Sequence, residues 1–215
     1  MSFLSTQSPL QIKICGITSL ADAEMAIAAG ADALGFNFFS GSKRYIPLEK
    51  NQSWIAALAG RVFRVAVVVN AGQDELERLK EAGCFEAVQF HGDETPEDCA
   101  DAGFPVWIRA IRVKDKASYA SALRYDTPYL LLDGWMAGVY GGTGHKVDWR
   151  SAREFVVSQP RRRVILAGGL EPKNVAEAVR AVGPHAVDTA SGVEGAPGHK
   201  DSGKVAEFIK AARDG

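Results

Sequence analysis

Eight short apolar, strand-like runs alternate with helix-length segments from one end of the chain to the other, and this rhythm most restricts the folds available. The runs are "IKICGI", "ALGFNF", "FRVAVVV", "EAVQFHG", "VWIRAIRV", "YLLLD", "RVILAGG" and "AVDTASG", beginning at Ile12, Ala33, Phe63, Glu86, Val106, Tyr129, Arg163 and Ala186. Several lack a clean in/out alternation, as strands of a parallel sheet buried on both faces do. Consecutive starts are roughly 20 to 30 residues apart, the length of one strand–helix unit. Eight such units in 215 residues are the arithmetic of a single α/β domain over 1–215, a (β/α)8 TIM barrel with parallel strands. A doubly wound open sheet ordinarily has fewer strands.

The intervening segments carry helical spacing. Val175, Val179 and Val182 share one face, as do Val205, Phe208, Ile209 and Ala212, with charge on the opposite side. Pro172 is placed to open a helix near its first turn, while Gly83, Gly103 and Gly183 follow the ends of others. No low-complexity stretch or shift in composition marks a linker.

A formal net charge of −1 gives no basic footprint for nucleic acid. The cluster Arg161 to Arg163 precedes an apolar run and reads as a solvated approach to a strand. The opening "MSFLSTQSPL" has neither a basic region nor a continuous apolar one, so it does not read as a secretory signal. No apolar run approaches the ~18 residues a membrane span requires. A cytoplasmic protein is expected, with no membrane partner, and a monomer is the default state. Cys15, Cys84 and Cys99 are odd in number and lack C-x-x-C spacing, which argues against a disulfide framework or a structural zinc site.

Barrels of this kind place their chemistry at the carboxyl ends of the strands and in the loops that follow. Those positions hold Cys15, Lys43, Arg44, Asn70, His91, Arg112, Asp133, Gly141 to Gly144, Gly168, Gly169 and Asp188 to Gly192. The small-residue loops "AGGLEPKNV" and "TASGVE" follow the seventh and eighth strands, where barrels commonly bind phosphate through backbone N–H groups. "GGTG" sits in the longest strand-to-helix loop, which could fold over a ligand. Arg44 could hold a carboxylate or phosphate in its fork, or merely be solvated. Cys15 and Asp133 end the first and sixth strands and could act as base and acid, or be a core thiol and a loop cap. Pattern alone reaches a barrel for a phosphorylated small molecule with a candidate acid/base pair.

At these residues the chain resembles the phosphoribosylanthranilate isomerase family of tryptophan biosynthesis. The matching stretches are "KICGIT", "GSKRYI", "VVVN", "QFHG", "LLLD", "GGTGHKVDW", "LAGGLEPKNV" and "VDTASGVEGAPGHKD", in order over nearly the whole chain. The resemblance implies an Amadori rearrangement that needs no cofactor or metal, with Asp133 as general acid and Cys15 as general base. It further implies that Arg44 binds the anthranilate carboxylate. Phosphate is expected on backbone N–H groups around Gly142, Gly169, Ser191 and Gly192, and His91 and Asp188 fall in family motifs as further substrate-binding candidates.

Two departures stand out. Ala190 occupies a position where the family more often has a second serine, and Asn37 one where it has an apolar residue. Neither touches the acid or the base. The related isomerase of histidine biosynthesis resembles a two-aspartate design, and Cys15 stands where its first carboxylate would be. A Schiff-base aldolase would need a lysine at the end of the sixth strand, which holds Asp133. A silent phosphate-ligand binder would keep the glycine loops and Arg44 but has no need of both Cys15 and Asp133.

Overall fold

The structure, a computed structural model, describes residues 10–134 and 147–215. Eight parallel strands close on themselves in sequence order: β1 (Gln11–Cys15), β2 (Ala33–Asn37), β3 (Phe63–Val68), β4 (Ala87–Phe90), β5 (Trp107–Val113), β6 (Tyr129–Gly134), β7 (Arg163–Leu166) and β8 (Ala186–Thr189). The seam is made by β1 pairing with β8, Lys13 opposite Asp188 and Ile14 opposite Thr189. Around the sheet lie α1 (Leu20–Ala29), α2 (Leu48–Ala56), α3 (Gln73–Glu81), α4 (Pro96–Asp101), α5 (Lys116–Ala122), α6 (Trp149–Ser158), α7 (Val175–Val182) and α8 (Ser202–Arg213). The expected (β/α)8 barrel is therefore the observed fold. No helix among the described residues is long and apolar enough to cross a membrane.

Strand side chains alternate between two apolar layers because successive residues point to opposite faces. Outward residues such as Ile12, Ile14, Leu34, Val164 and Val187 pack against the helices. Inward residues, among them Ala33, Val65, Ile108, Leu131, Ile165 and Ala186, fill the barrel. This double burial is why the runs look continuously apolar. On α8 the residues Val205, Phe208, Ile209 and Ala212 are buried as their spacing predicts, and on α7 Val175 and Val182 are buried with Val179 half-buried beside them.

Local signals mostly hold. Gly83, Gly103 and Gly183 all follow helix ends with positive φ, and Gly183 donates to the Val179 carbonyl as the α7 cap. Pro172 differs from expectation: it lies in a turn ahead of α7, which begins at Val175. There Asn174 accepts from Glu171 N–H at 3.0 Å and donates to the Gly169 carbonyl at 2.9 Å, so the loop uses one side chain to hold both its ends. The arginine cluster is also less solvated than it reads. Arg162 donates to the carbonyls of Tyr125 and Thr127 at 3.0 and 2.8 Å, in the segment between α5 and β6 where no helix ladder takes them up.

Candidate active site

The inward alternation decides which polar side chains reach the mouth. Tyr129 and Leu131 belong to the barrel interior, so Asp133, two residues on, points the same way. The same parity carries β4 from Ala87 to Gln89 and on to His91, β8 from Ala186 to Asp188, and β1 from Lys13 to Cys15. Cys15, Gln89, His91, Asp133 and Asp188 line one cavity of about 830 Å³ at the carboxyl ends of the strands, together with Arg44 from the loop after β2.

Asp133 is 4% exposed and meets His91, whose Nε2 lies 3.2 Å from Asp133 Oδ2. Gln89, fully buried, places its amide nitrogen 3.0 Å from His91 Nδ1. With the Gln89 amide nitrogen donating to Nδ1, Nε2 is the ring nitrogen that faces the Asp133 carboxyl. A three-residue chain thus orients the Asp133 carboxyl. Behind it, Glu94 accepts from the backbone N–H of Asn70 and Gly92 and from Arg109, at 2.7, 2.9 and 2.6 Å, which locks the loop that follows His91.

Cys15 is a free thiol, half-buried, opposite Gly35 of β2. Lys13, fully buried, reaches Asp188 Oδ1 at 2.9 Å and also meets the Cys15 thiol. A Cβ on Gly35 would stand 2.7 Å from Cys15 Sγ and 3.1 Å from Lys13 Nζ, so the glycine makes room for both. Burial pushes the thiol above its ordinary value, with Asp188 adding to the rise, while Lys13 and then Lys200 pull it down. Burial also works against the Lys13 ammonium, but Asp188, reinforced by Cys15, holds it above its usual range.

Arg44 forms a two-pronged ion pair with Glu194, Nε to Oε1 and Nη2 to Oε2, both at 2.7 Å. Glu194 opens a small antiparallel hairpin after β8, made of β9 (Glu194–Ala196) and β10 (His199–Lys200). Lys200 Nζ binds the same carboxylate at 3.0 Å and the Ala190 carbonyl at 3.1 Å. Burial alone would raise Glu194, yet Arg44 and Lys200 hold it below the usual carboxylate range, and burial lowers Lys200. The stem of Arg44 crosses directly over Gly16, whose φ of +73° and missing side chain make that approach possible. Gly16, the turn residue after Cys15, is therefore where the β1 loop accommodates the arginine.

The two glycine-bearing loops also meet. Gly168 and Gly169 have positive φ, and Thr189 Oγ1 donates to the Leu170 carbonyl at 2.8 Å. Gly169 and Ser191 line the cavity, Ser191 beginning a single 3₁₀ turn that ends at Val193. Gly192 instead packs its Cα against the Leu170 carbonyl, where a Cβ would collide with backbone. Gly142 and the rest of "GGTG" lie outside the described residues. The two family departures find local partners: Asn37 accepts from the Phe39 N–H at 2.9 Å and lines the cavity, and Ala190 precedes the 3₁₀ turn.

Sequence reading missed Lys13, Gln89, Glu194 and Lys200. The first two share the inward parity of Cys15 and His91, a signal present in the strands themselves. Glu194 sits in "VEGAPGHKD" with no local mark of its partner Arg44, 150 positions away, and Lys200 joins it only because the hairpin brings the two together.

Fold and cavity together define a (β/α)8-barrel enzyme whose polar groups converge at the carboxyl ends of the strands. The family model for N-(5'-phosphoribosyl)anthranilate isomerase matches residues 12–211, and the chain belongs to that family. It is 45% identical over 207 residues to the isomerase of Geobacter metallireducens, covering 95% of this chain and 99% of the relative. Among solved structures, that of the isomerase from Thermotoga maritima is 38% identical with a TM-score of 0.86, covering 95% and 98% of the two chains. Another isomerase structure, in complex with reduced 1-(o-carboxyphenylamino)-1-deoxyribulose 5-phosphate, is 37% identical with a TM-score of 0.81 over 95% and 98%.

Proposed function

We propose that this isomerase converts N-(5-phosphoribosyl)anthranilate into 1-(2-carboxyphenylamino)-1-deoxyribulose 5-phosphate, using Asp133 as acid and Cys15 as base with no cofactor or metal. The observation that carries the reading is the convergence of these two groups, from β6 and β1, on one cavity. Asp133 gives its proton to the furanose ring oxygen as the C1–O bond breaks, and the anthranilate nitrogen lone pair forms the C1=N iminium. The Cys15 thiolate then takes the C2 proton. The C2–H electron pair becomes the C1=C2 bond, the iminium nitrogen is neutralised, and the resulting enolamine tautomerises to the ketone. The adjacent cation acidifies C2, so a base of moderate strength suffices.

Arg44 is the proposed anchor for the anthranilate carboxylate. Its pair with Glu194 occupies Nε and Nη2, so the Nη1 edge of the fork meets the substrate. Arg44→Ala raises KM by about tenfold to a hundredfold, the loss of one charge-assisted contact, with a smaller change in kcat. Steady-state kinetics at varied substrate check this, and an unchanged KM moves the carboxylate elsewhere. His91 and Asp188 complete the proposed substrate contacts from the cavity wall.

The phosphate is proposed on the N–H groups of the loops after β7 and β8, near Gly169, Ser191 and Gly192, with Gly142 as a further candidate. A methyl group on Gly192 forces the two loops apart, because its neighbour is a backbone carbonyl. Gly192→Ala therefore raises KM at least about tenfold, and inorganic phosphate loses its competitive inhibition in parallel. Loss of turnover with phosphate inhibition intact would dissociate that glycine from the phosphate.

A monomer is the state proposed in solution. The large apolar side chains exposed among the described residues, Leu20, Tyr45, Leu123 and Val157, are spread over four separate segments. The reaction itself is tested by following the fluorescence of phosphoribosylanthranilate as purified protein consumes it. Its consumption with formation of the ketose supports the reading; tight product binding without turnover overturns it in favour of a silent binder.

A further inference from the structure

Lys13 is buried completely beneath the cavity floor, and the proposed reaction gives it nothing to do. A fully buried ammonium is costly unless its neighbours compensate it, so a lysine inside the barrel calls for a reason. Two neighbours meet it: Asp188 at 2.9 Å and the Cys15 thiol. The contact with the thiol follows from the strand itself, since residues two apart on β1 project to the same face. Gly35 on the adjacent strand leaves the space in which Sγ and Nζ lie together.

We propose that Lys13 is a positioning residue, the buried counter-ion against which the Cys15 thiol gives up its proton, with Asp188 clamping the ammonium in place. The assignment rests on the reading of Cys15 as base. Lys13 never takes the substrate's proton in this scheme; it stays an ammonium throughout. Before turnover the S–H proton leaves to solvent and the thiolate faces the Lys13 charge. When the C2–H bond breaks, its proton closes the S–H bond and the electron pair stays with the substrate. Three other charged groups bear on the sulfur. Asp188 from β8 opposes ionisation, and Lys200 from β10 and Arg44 from the loop after β2 favour it, though both cations share Glu194.

This arrangement makes opposite predictions for the two ends of the clamp. Removing the cation should make the thiolate harder to form; removing the carboxylate should make it easier. The experiment is the pH dependence of Cys15 alkylation by iodoacetamide, read peptide by peptide by mass spectrometry, with the buried thiols Cys84 and Cys99 as internal references. Relative to wild type, the midpoint rises by at least about one pH unit in Lys13→Met, and the alkylation rate near neutral pH falls about tenfold. In Asp188→Asn the midpoint falls. The double variant lies between Lys13→Met and wild type, because the cation acts on the sulfur more strongly than the carboxylate. The double leaves no uncompensated charge inside the barrel, so it carries the test should Lys13→Met fail to fold.

A wild-type midpoint in folded Lys13→Met overturns the proposal, and so does a double variant at or below wild type. A midpoint in Asp188→Asn that does not fall overturns the opposing role given to that carboxylate. Turnover gives the second readout: kcat of Lys13→Met falls about tenfold near neutral pH and recovers as the pH is raised, with KM little changed. Failure of the parent reading looks different. In that case Cys15→Ala retains turnover while the alkylation midpoints still follow the predicted order, and Lys13 would tune a thiol that the reaction does not use.

Discussion

Cys15→Ala lowers kcat for phosphoribosylanthranilate by about 10²- to 10⁴-fold while KM changes little, because the variant removes a proton acceptor and leaves the anion-binding contacts in place. The pH profile sharpens the expectation. Burial holds the free thiol above its ordinary value, so the working thiolate is scarce at neutral pH in the ligand-free enzyme. In wild type, kcat/KM therefore climbs as pH rises toward and through that raised value and falls away below it. The climb belongs to the sulfur and vanishes from the residual activity of Cys15→Ala. Near-wild-type turnover in the alanine variant, or an unaltered climb, removes Cys15 from the reaction.

Asp133→Asn produces a comparable loss, again about 10²- to 10⁴-fold in kcat. The amide preserves the shape of the carboxyl and can still accept from His91 Nε2, 3.2 Å away, so the chain from Gln89 through His91 persists. What disappears is the transferable proton. Ring opening then limits the rate. A substrate deuterated at C2 distinguishes the two variants: Asp133→Asn loses any isotope effect that wild type displays, since the labelled bond breaks after the slow step. An isotope effect that grows in Asp133→Asn would mean that Asp133 acts on the C2 step, and the assigned roles would have to be exchanged.

All eight strands are legible in the sequence because residues buried on both faces of a parallel sheet must be apolar at nearly every position. That same continuity hid half of the site. Lys13 lies within "IKIC" and Gln89 within "VQF", where a single polar residue in an apolar run draws little notice. Counting back by two from the strand-end residues would have found both, since each shares the inward face with Cys15 or His91. Residues at strand ends, Cys15, His91, Asp133 and Asp188, were accessible to reading because the barrel assigns that edge to chemistry.

Contacts between distant loops were not accessible. Arg44 could be named as a cation for an anion, but its pairing with Glu194 depends on how the hairpin after β8 folds back over the mouth. Gly192 could be named as a phosphate-loop residue, yet its packing against the Leu170 carbonyl is a fact of tertiary approach. Pro172 illustrates a smaller failure of the same kind. It starts a turn that Asn174 organises through its own hydrogen bonds, and the helix waits until that turn is complete.

The β1–β8 seam has a consequence for how activity appears during folding. Lys13 and Asp188 are separated by 175 positions and meet only where the first and eighth strands pair. Loop closure over that span is among the slower kinds of contact a chain can make. An intermediate built from β1 to β7 holds the thiol and the Asp133 carboxyl yet lacks the wall that Asp188, Ser191 and Glu194 supply. Regain of turnover after dilution from denaturant therefore requires closure of the ring and cannot precede the pairing of β8 with β1.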